Sequence, residues 1–339
     1  MTAQASPEEL WRTADNEFLK LLDSDMFFST QKTLHFYAPS FMYYKTGYFC
    51  SSAKDFPTIS VTGKGCALNC KHCGGKVLET MYPVKTPEEL YNLCAKLKSE
   101  GAVGCLISGG CLSDGSVPLD RFTSAIKRVK TDFEFAVFAH VGIVNFEKAE
   151  RLKKADVDAA LIDVIGADET IKEIYKLNVT VKDYDDALKA LNQAGLSFIP
   201  HVIVGLHYGK LKGEFNALKM IHKYKPSAIV IIAFMPIHGT EMAHVKPPTS
   251  IDIAKVLASA RAMFPETPIA LGCMRPKGRH RIETDILAIK AGVDAIAFPA
   301  EEAIKFAEAS GCKISFSSYC CSQISLDVLK FNAKQKSKT

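Results

Sequence analysis

Three cysteines, Cys66, Cys70 and Cys73, stand within eight residues of one another in the stretch VTGKGCALNCKHCGG. Their spacing is C-x3-C-x2-C, and the stretch holds no fourth cysteine. Thiolates at such spacing are ligands for zinc or for an iron–sulfur cluster. Structural zinc takes four donors, usually as two separated pairs. One compact claw of three suits a cubane cluster better, because it leaves one iron open to nitrogen and oxygen donors of a small molecule. Zinc and plain reduced core thiols are the competing readings.

Such a claw needs a scaffold. The chain has 339 residues, 47% of them hydrophobic, enough for one large α/β domain or two smaller ones. Eight apolar, β-branched runs recur along it: 57–63, 103–108, 134–140, 158–164, 197–205, 227–235, 268–273 and 294–300. Each reads as a strand buried on both faces of a parallel sheet. Amphipathic stretches separate them, such as 86–101, which opens with Thr86 and Pro87 and stops at Gly101. Eight strand–helix units predict a closed (β/α)8 barrel of the TIM type, with an open six-stranded layer plus an appended domain as the alternative. The expected division is a helical and aromatic N-terminal extension (1–50), the barrel (51–310), and a cysteine-containing segment (311–339) lying over the barrel mouth. The aromatic lead-in LHFYAPSFMYYKTGYF either covers one barrel end or packs as ordinary core.

Barrel enzymes place their chemistry beyond the C-terminal ends of the strands. Gly63, Ser108, Gly109, Gly110, His140, Asp163, His201, Gly205, Pro236 and Cys273 all fall at such ends. Cys94 and Cys105 sit among apolar neighbours and read as core. The net charge of +5 is dispersed apart from the tail AKQKSKT, so no basic stripe points to nucleic acid. No apolar run approaches the ~20 residues of a membrane span, and the N-terminus lacks a signal-peptide pattern. The expectation is a cytoplasmic chain whose eleven cysteines are reduced.

With those residues in view, C-x3-C-aromatic-x-C after the first barrel strand resembles the radical S-adenosylmethionine (SAM) superfamily, His72 taking the aromatic place. The resemblance implies a [4Fe–4S] cluster on Cys66, Cys70 and Cys73 that binds and reductively cleaves SAM. It implies a low-potential electron donor such as ferredoxin. ISGG, with Ser108, Gly109 and Gly110, resembles the glycine motif that holds the SAM amino end, although Cys111 stands where an acid is common. Ile203 and Gly205 match the segment beside the adenine. Pro236, Gly239 and Thr240 match P-x-x-G-T after the sixth strand. Asp163 falls where a polar residue meets the ribose. His140, His201 and His207 near the rim either position SAM or substrate or are structural.

Sulfur-inserting members of this class carry a second, sacrificial cluster. Cys273 with one or both of Cys320 and Cys321 is the expected ligand set, with Cys312 and Cys111 next in line and a serine or arginine able to complete it. Unliganded tail thiols are the alternative. The stretches HVIVGLHYGKLKGE, LGCMRPKGRHRIETDILAIKAGVDAIAFPAEEA and YCC, within 37–322, resemble the archaeal two-protein lipoyl synthases. That likeness implies sulfur insertion into an octanoyl chain on the lysine of a lipoyl-carrier protein, together with a homologous radical SAM partner. Other sulfur inserters of the biotin synthase type, a methylornithine synthase, a hydrogenase maturase and a non-catalytic iron–sulfur partner subunit are the rivals.

Overall fold

The structure is a computed structural model that describes residues 5–24, 27, 33–39, 42–51 and 54–327. The basic tail lies outside the described residues. The strands are β1 (Thr33–Tyr37), β2 (Thr58–Ser60), β3 (Tyr82–Pro83), β4 (Gly104–Ser108), β5 (Ala136–His140), β6 (Ala159–Asp163), β7 (Phe198–Val204), β8 (Ile229–Ala233), β9 (Ile269–Leu271), β10 (Ala295–Ala297) and β11 (Lys313–Ser317). All pair in parallel, in the order β11-β1-β10-β9-β8-β7-β6-β5-β4-β2-β3. The eight expected runs are all strands, in sequential order from β2 to β10.

The expected closure is not found. No pairing joins β11 to β3 among the described residues, so the sheet is a curled, open wall. The reason is β1, which takes the free edge of β10 (Phe36 opposite Ile296) and in turn carries β11 (Phe36 opposite Phe316). The two added strands occupy the edge that closure needs. Aromatic contacts bridge the gap instead, with Tyr319 beyond β11 meeting Phe56 ahead of β2 at 6.0 Å between ring centroids.

Alternation along the strands divides two cores. Val137, Ile162, Val202, Ile231, Leu271 and Ile296 face the helices. Phe138, Leu161, Ile199, Val230, Ala270, Ala295 and Ala297 face the lumen. Alanines on β9 and β10 leave room there, and the C-terminal segment fills it with Cys321 and Ile324. That segment therefore turns into the barrel rather than lying across its mouth. The helix Pro87–Ser99 forms as its sequence dictates: Thr86 accepts from the Glu89 N–H, Pro87 fits the first turn, and Glu88 and Glu89 face the positive end of the dipole. The N-terminal helices Pro7–Arg12 and Asp15–Asp23 pack outside the wall on helix Ser250–Met263, where Lys255 reaches Asp15 at 2.7 Å.

Candidate active site

The loop after β2 carries Cys66, Cys70 and Cys73 and is pinned from three sides. Ala67 N–H donates to Cys111 O at 2.8 Å, Lys71 N–H to Ile174 O at 2.9 Å, and Met242 N–H to Lys71 O at 3.3 Å. Gly110 is what lets the loop seat. A Cβ there would lie 1.9 Å from Gly65 O and 2.6 Å from Cys66 Cα, and its N–H already donates to Thr62 Oγ1 at 2.7 Å. ISGG thus supports the thiol loop directly. The P-x-x-G-T segment leans on the same loop, with the Gly239 Cβ position 3.5 Å from Lys76 Cε.

The ligand atoms of Cys70, His72 and Cys73 lie within 4.8 Å of one another, and Cys66 stands outside that tight group. A hydrogen bond between Cys70 and Cys73 splits their titration: Cys73 falls to about 4, helped by His72, and Cys70 rises. Two buried polar atoms, His72 Nδ1 in the loop and Tyr175 Oη beside it, have no partner among the described residues. Their rings meet at 5.2 Å. Tyr175 ends a single π-helical turn, Ile171–Tyr175, whose carbonyls hold Lys71 N and the Cys70 thiol. Three thiols, no fourth in the loop and unsatisfied polar atoms alongside fit a cluster with one open iron and a polar cofactor.

Behind this loop the lumen wall is polar. Asp163 on β6 lies 3.5 Å from His140 on β5, and the His140 ring is tilted against that of His201 on β7, with centroids 5.7 Å apart. Burial opposes charge on all three. The mutual attraction of His140 and Asp163 overcomes it, raising the imidazole and lowering the carboxyl from their ordinary values. His201, desolvated and beside His140, drops to about 4 and is neutral at pH 7. Ser108 Oγ donates to His140 O at 3.4 Å. Ile203 on β7 and Pro236 beyond β8 are half-buried. Gly205, with φ +72° and Pro248 Cγ 2.6 Å from where a Cβ would be, holds the chain against the next loop. His207 bonds Thr170 at 3.1 Å, as a structural histidine would.

A second thiol group forms from distant pieces. Cys273, just beyond β9, packs in the same lumen cluster as Cys320 and Cys321, although the three sulfurs do not all come within the 4.8 Å reached by Cys70, His72 and Cys73. Their mutual interaction lowers Cys273 and brings Cys320 to about 7, while Cys321 is pushed up. The fully buried Arg275 fixes the β9 loop. It donates to Asp285 at 2.8 and 3.0 Å, to Gly272 O at 2.7 Å and to Phe298 O at 3.3 Å. Arg281, lowered to about 10 by burial and by Arg275, is also acted on by Cys273, and its buried Nε has no partner among the described residues.

Two expected reserves are corrected. Cys312 precedes β11 while Cys320 follows it, so the strand, about 16 Å long, holds them at opposite ends. Cys111 belongs to the first loop: its carbonyl binds Ala67, and burial together with Cys66 raises its thiol to about 12. Cys94 and Cys105 are fully buried, as read. Sequence reasoning missed Tyr175, Arg275, Asp285 and Glu214. Glu214 accepts the Gly205 N–H at 2.8 Å and leaves Oε2 buried with no partner among the described residues. Its one sequence signal is an acid at the first position of an amphipathic helix.

Comparison with known proteins accords with this geometry. The radical SAM superfamily profile matches residues 60–210. The biotin synthase of Hyphomonas neptunium is 25% identical over 252 residues, 70% of this chain and 75% of that protein. The crystal structure of methylornithine synthase (PylB) superposes with a TM-score of 0.60 at 16% identity, over 91% of this chain and 93% of that one. That of HydG, a maturase of the [FeFe]-hydrogenase, does so at 0.62 and 17%, over 87% and 64%. The structural likenesses establish the fold. No described helix is long and apolar enough to cross a membrane.

Proposed function

We propose that the chain is a radical SAM enzyme that inserts sulfur at an unactivated C–H bond, a reading supported by its match to the radical SAM superfamily profile over residues 60–210 and by its likeness to biotin synthases. The observation that carries this reading is the convergence of Cys273, Cys320 and Cys321 in the lumen, apart from the Cys66–Cys73 loop. When bound, the [4Fe–4S] cluster and SAM supply a hydrogen-abstracting radical, and a second cluster supplies sulfur. Cys66, Cys70 and Cys73 hold the first cluster. Cys273, Cys320 and Cys321 hold the second, with Arg281 beside them. His72, Ser108, Gly109, Gly110, Asp163, Ile203, Gly205 and Pro236 line the SAM place. The apolar lumen excludes water, which a reactive radical requires.

The acceptor we propose is an octanoyl chain on a lysine of a lipoyl-carrier protein, in concert with a homologous radical SAM protein and a low-potential donor such as ferredoxin. The stretches within 37–322 support it. A second reading, a small biotin precursor, is favoured by the names of the curated relatives. The test is an anaerobic assay of the reconstituted chain on both acceptors, with and without the homologous partner, read by mass spectrometry. Sulfur on the octanoyl-lysine peptide supports the first reading. Sulfur only on the biotin precursor selects the second. SAM cleavage with no sulfur on either defeats sulfur insertion and leaves a mutase- or maturase-type reaction.

A further inference from the structure

Below the mouth, the lumen is lined by apolar side chains on β5 to β10, Phe138, Leu161 and Ile199 among them. The ribbon β1–β11 breaks that pattern. Tyr37 faces inward, and His35, Ser315 and Ser317 share its face through the two-residue repeat and the parallel register. Opposite them the chain turns back into a short helical run from Cys321, which carries Gln323 and Asp327, with Tyr319 in the bend just ahead of it. The two polar walls enclose a cavity of about 270 Å³, just below the usual range for small-molecule sites.

Most polar atoms around it are satisfied. Tyr37 Oη donates to Asp327 Oδ2 at 2.6 Å, Gln323 Nε2 to Asp327 Oδ1 at 3.4 Å, and Ser315 Oγ pairs with His35 Nδ1 at 2.8 Å. Two acceptors are left over. Gln323 Oε1 has no partner although the residue is only 4% exposed, and the Asp327 carboxylate has no cation among the described residues. Turning the Gln323 amide over would point its oxygen at the carboxylate, so the bond to Asp327 fixes its orientation. A buried acceptor without a donor is costly, and a ligand that supplies one relieves that cost. One charged and one neutral acceptor, between the rings of Tyr37 and Tyr319, form a site for a compact cation bearing several N–H donors.

We propose that this cavity binds a small molecule through a protonated primary amine, whose N–H groups go to Asp327 and Gln323 Oε1. The ligand is of amino-acid size or smaller. No cysteine lines the cavity, but Tyr37 shares a core cluster with Cys321, and Cys320 and Cys321 lie between Tyr319 and Gln323 in the same segment. An occupied cavity therefore steadies the backbone that presents those thiols.

The test uses the full-length chain and n-butylammonium chloride, with n-butanol and sodium chloride as controls, read by titration calorimetry and by the alkylation rate of Cys320 and Cys321 in cluster-free protein. Saturable binding of the ammonium alone, weakened at least tenfold by Asp327→Asn and by Gln323→Leu, with slower alkylation when bound, is the expected result. Tyr37→Phe keeps the carboxylate while removing its internal hydrogen bond. It must retain binding, and it guards against an Asp327→Asn chain that fails to fold. Equal binding of n-butanol, binding unchanged in Asp327→Asn, loss of binding in folded Tyr37→Phe, or no saturable binding by the folded chain would each overturn the proposal.

Discussion

Cys66, Cys70 and Cys73 come from one loop, held by backbone bonds to three neighbouring segments, whereas Cys273, Cys320 and Cys321 come from a strand end and a C-terminal turn far apart in sequence. The first group's spacing is set within one loop, which Gly110 and the bonds to Cys111, Ile174 and Met242 seat. The second exists only if the C-terminal segment is drawn into the lumen and the β9 loop is fixed, which here depends on a buried ion pair. A loop motif can survive much loss of tertiary order, while an assembled site fails with its supports. The two groups should therefore respond to different injuries.

The largest effect belongs to the first group. Replacing Cys66, Cys70 and Cys73 together by alanine removes one cluster's iron and reduces 5′-deoxyadenosine release to background, as iron analysis and chromatography would register. Retained iron would erase the distinction between the groups. Next comes Cys320→Ala or Cys273→Ala, for which SAM cleavage persists and sulfur transfer is lost. Sulfur transfer surviving both changes would remove the second group from the chemistry.

The supports offer finer cuts. Asp285→Asn leaves Arg275 buried without a counter-charge, a loss of about 3–5 kcal/mol in denaturant unfolding. Iron at the second group should fall while the first group keeps its own. Gly110→Ala forces a Cβ into Gly65 and Cys66 and costs about 1–3 kcal/mol. Here SAM binding weakens while Cys320 alkylation is unchanged, the converse outcome.

Glu214 gives the smallest and most conditional effect. Burial raises its carboxyl from 4.5 to about 7, so the folded chain keeps a proton that the unfolded chain releases. The stability from that proton is complete below about pH 4.5 and is lost as pH rises through about 7. Glu214→Gln still accepts from Gly205 and has no proton to lose. Urea unfolding at pH 5 and pH 8 should show it gaining on the parent across that window, by about 3 kcal/mol at most.

Much was legible in the residues alone. The eight runs became β2 and β4 to β10 because continuous apolar stretches between helices can bury both faces only in a parallel sheet. Edges were harder to read. LHFY alternates apolar and polar residues, and nothing local tells an added strand from a packed lead-in; β1 forms because β10 offers an unpaired edge. Tyr175 and Asp285 lack any motif, since their roles depend on partners distant in sequence.

The sequence by itself determined the C-x3-C-x2-C claw, the strand–helix alternation and the glycines that let backbones approach, because each rests on spacing within a few residues. Only the tertiary structure decided that the wall stays open at β11, that Cys320 and Cys321 join Cys273 while Cys312 does not, and that Arg275 is neutralised by Asp285. Those outcomes depend on which distant edges and charges meet once the lumen is filled, and the burial of surface in the whole chain settles that.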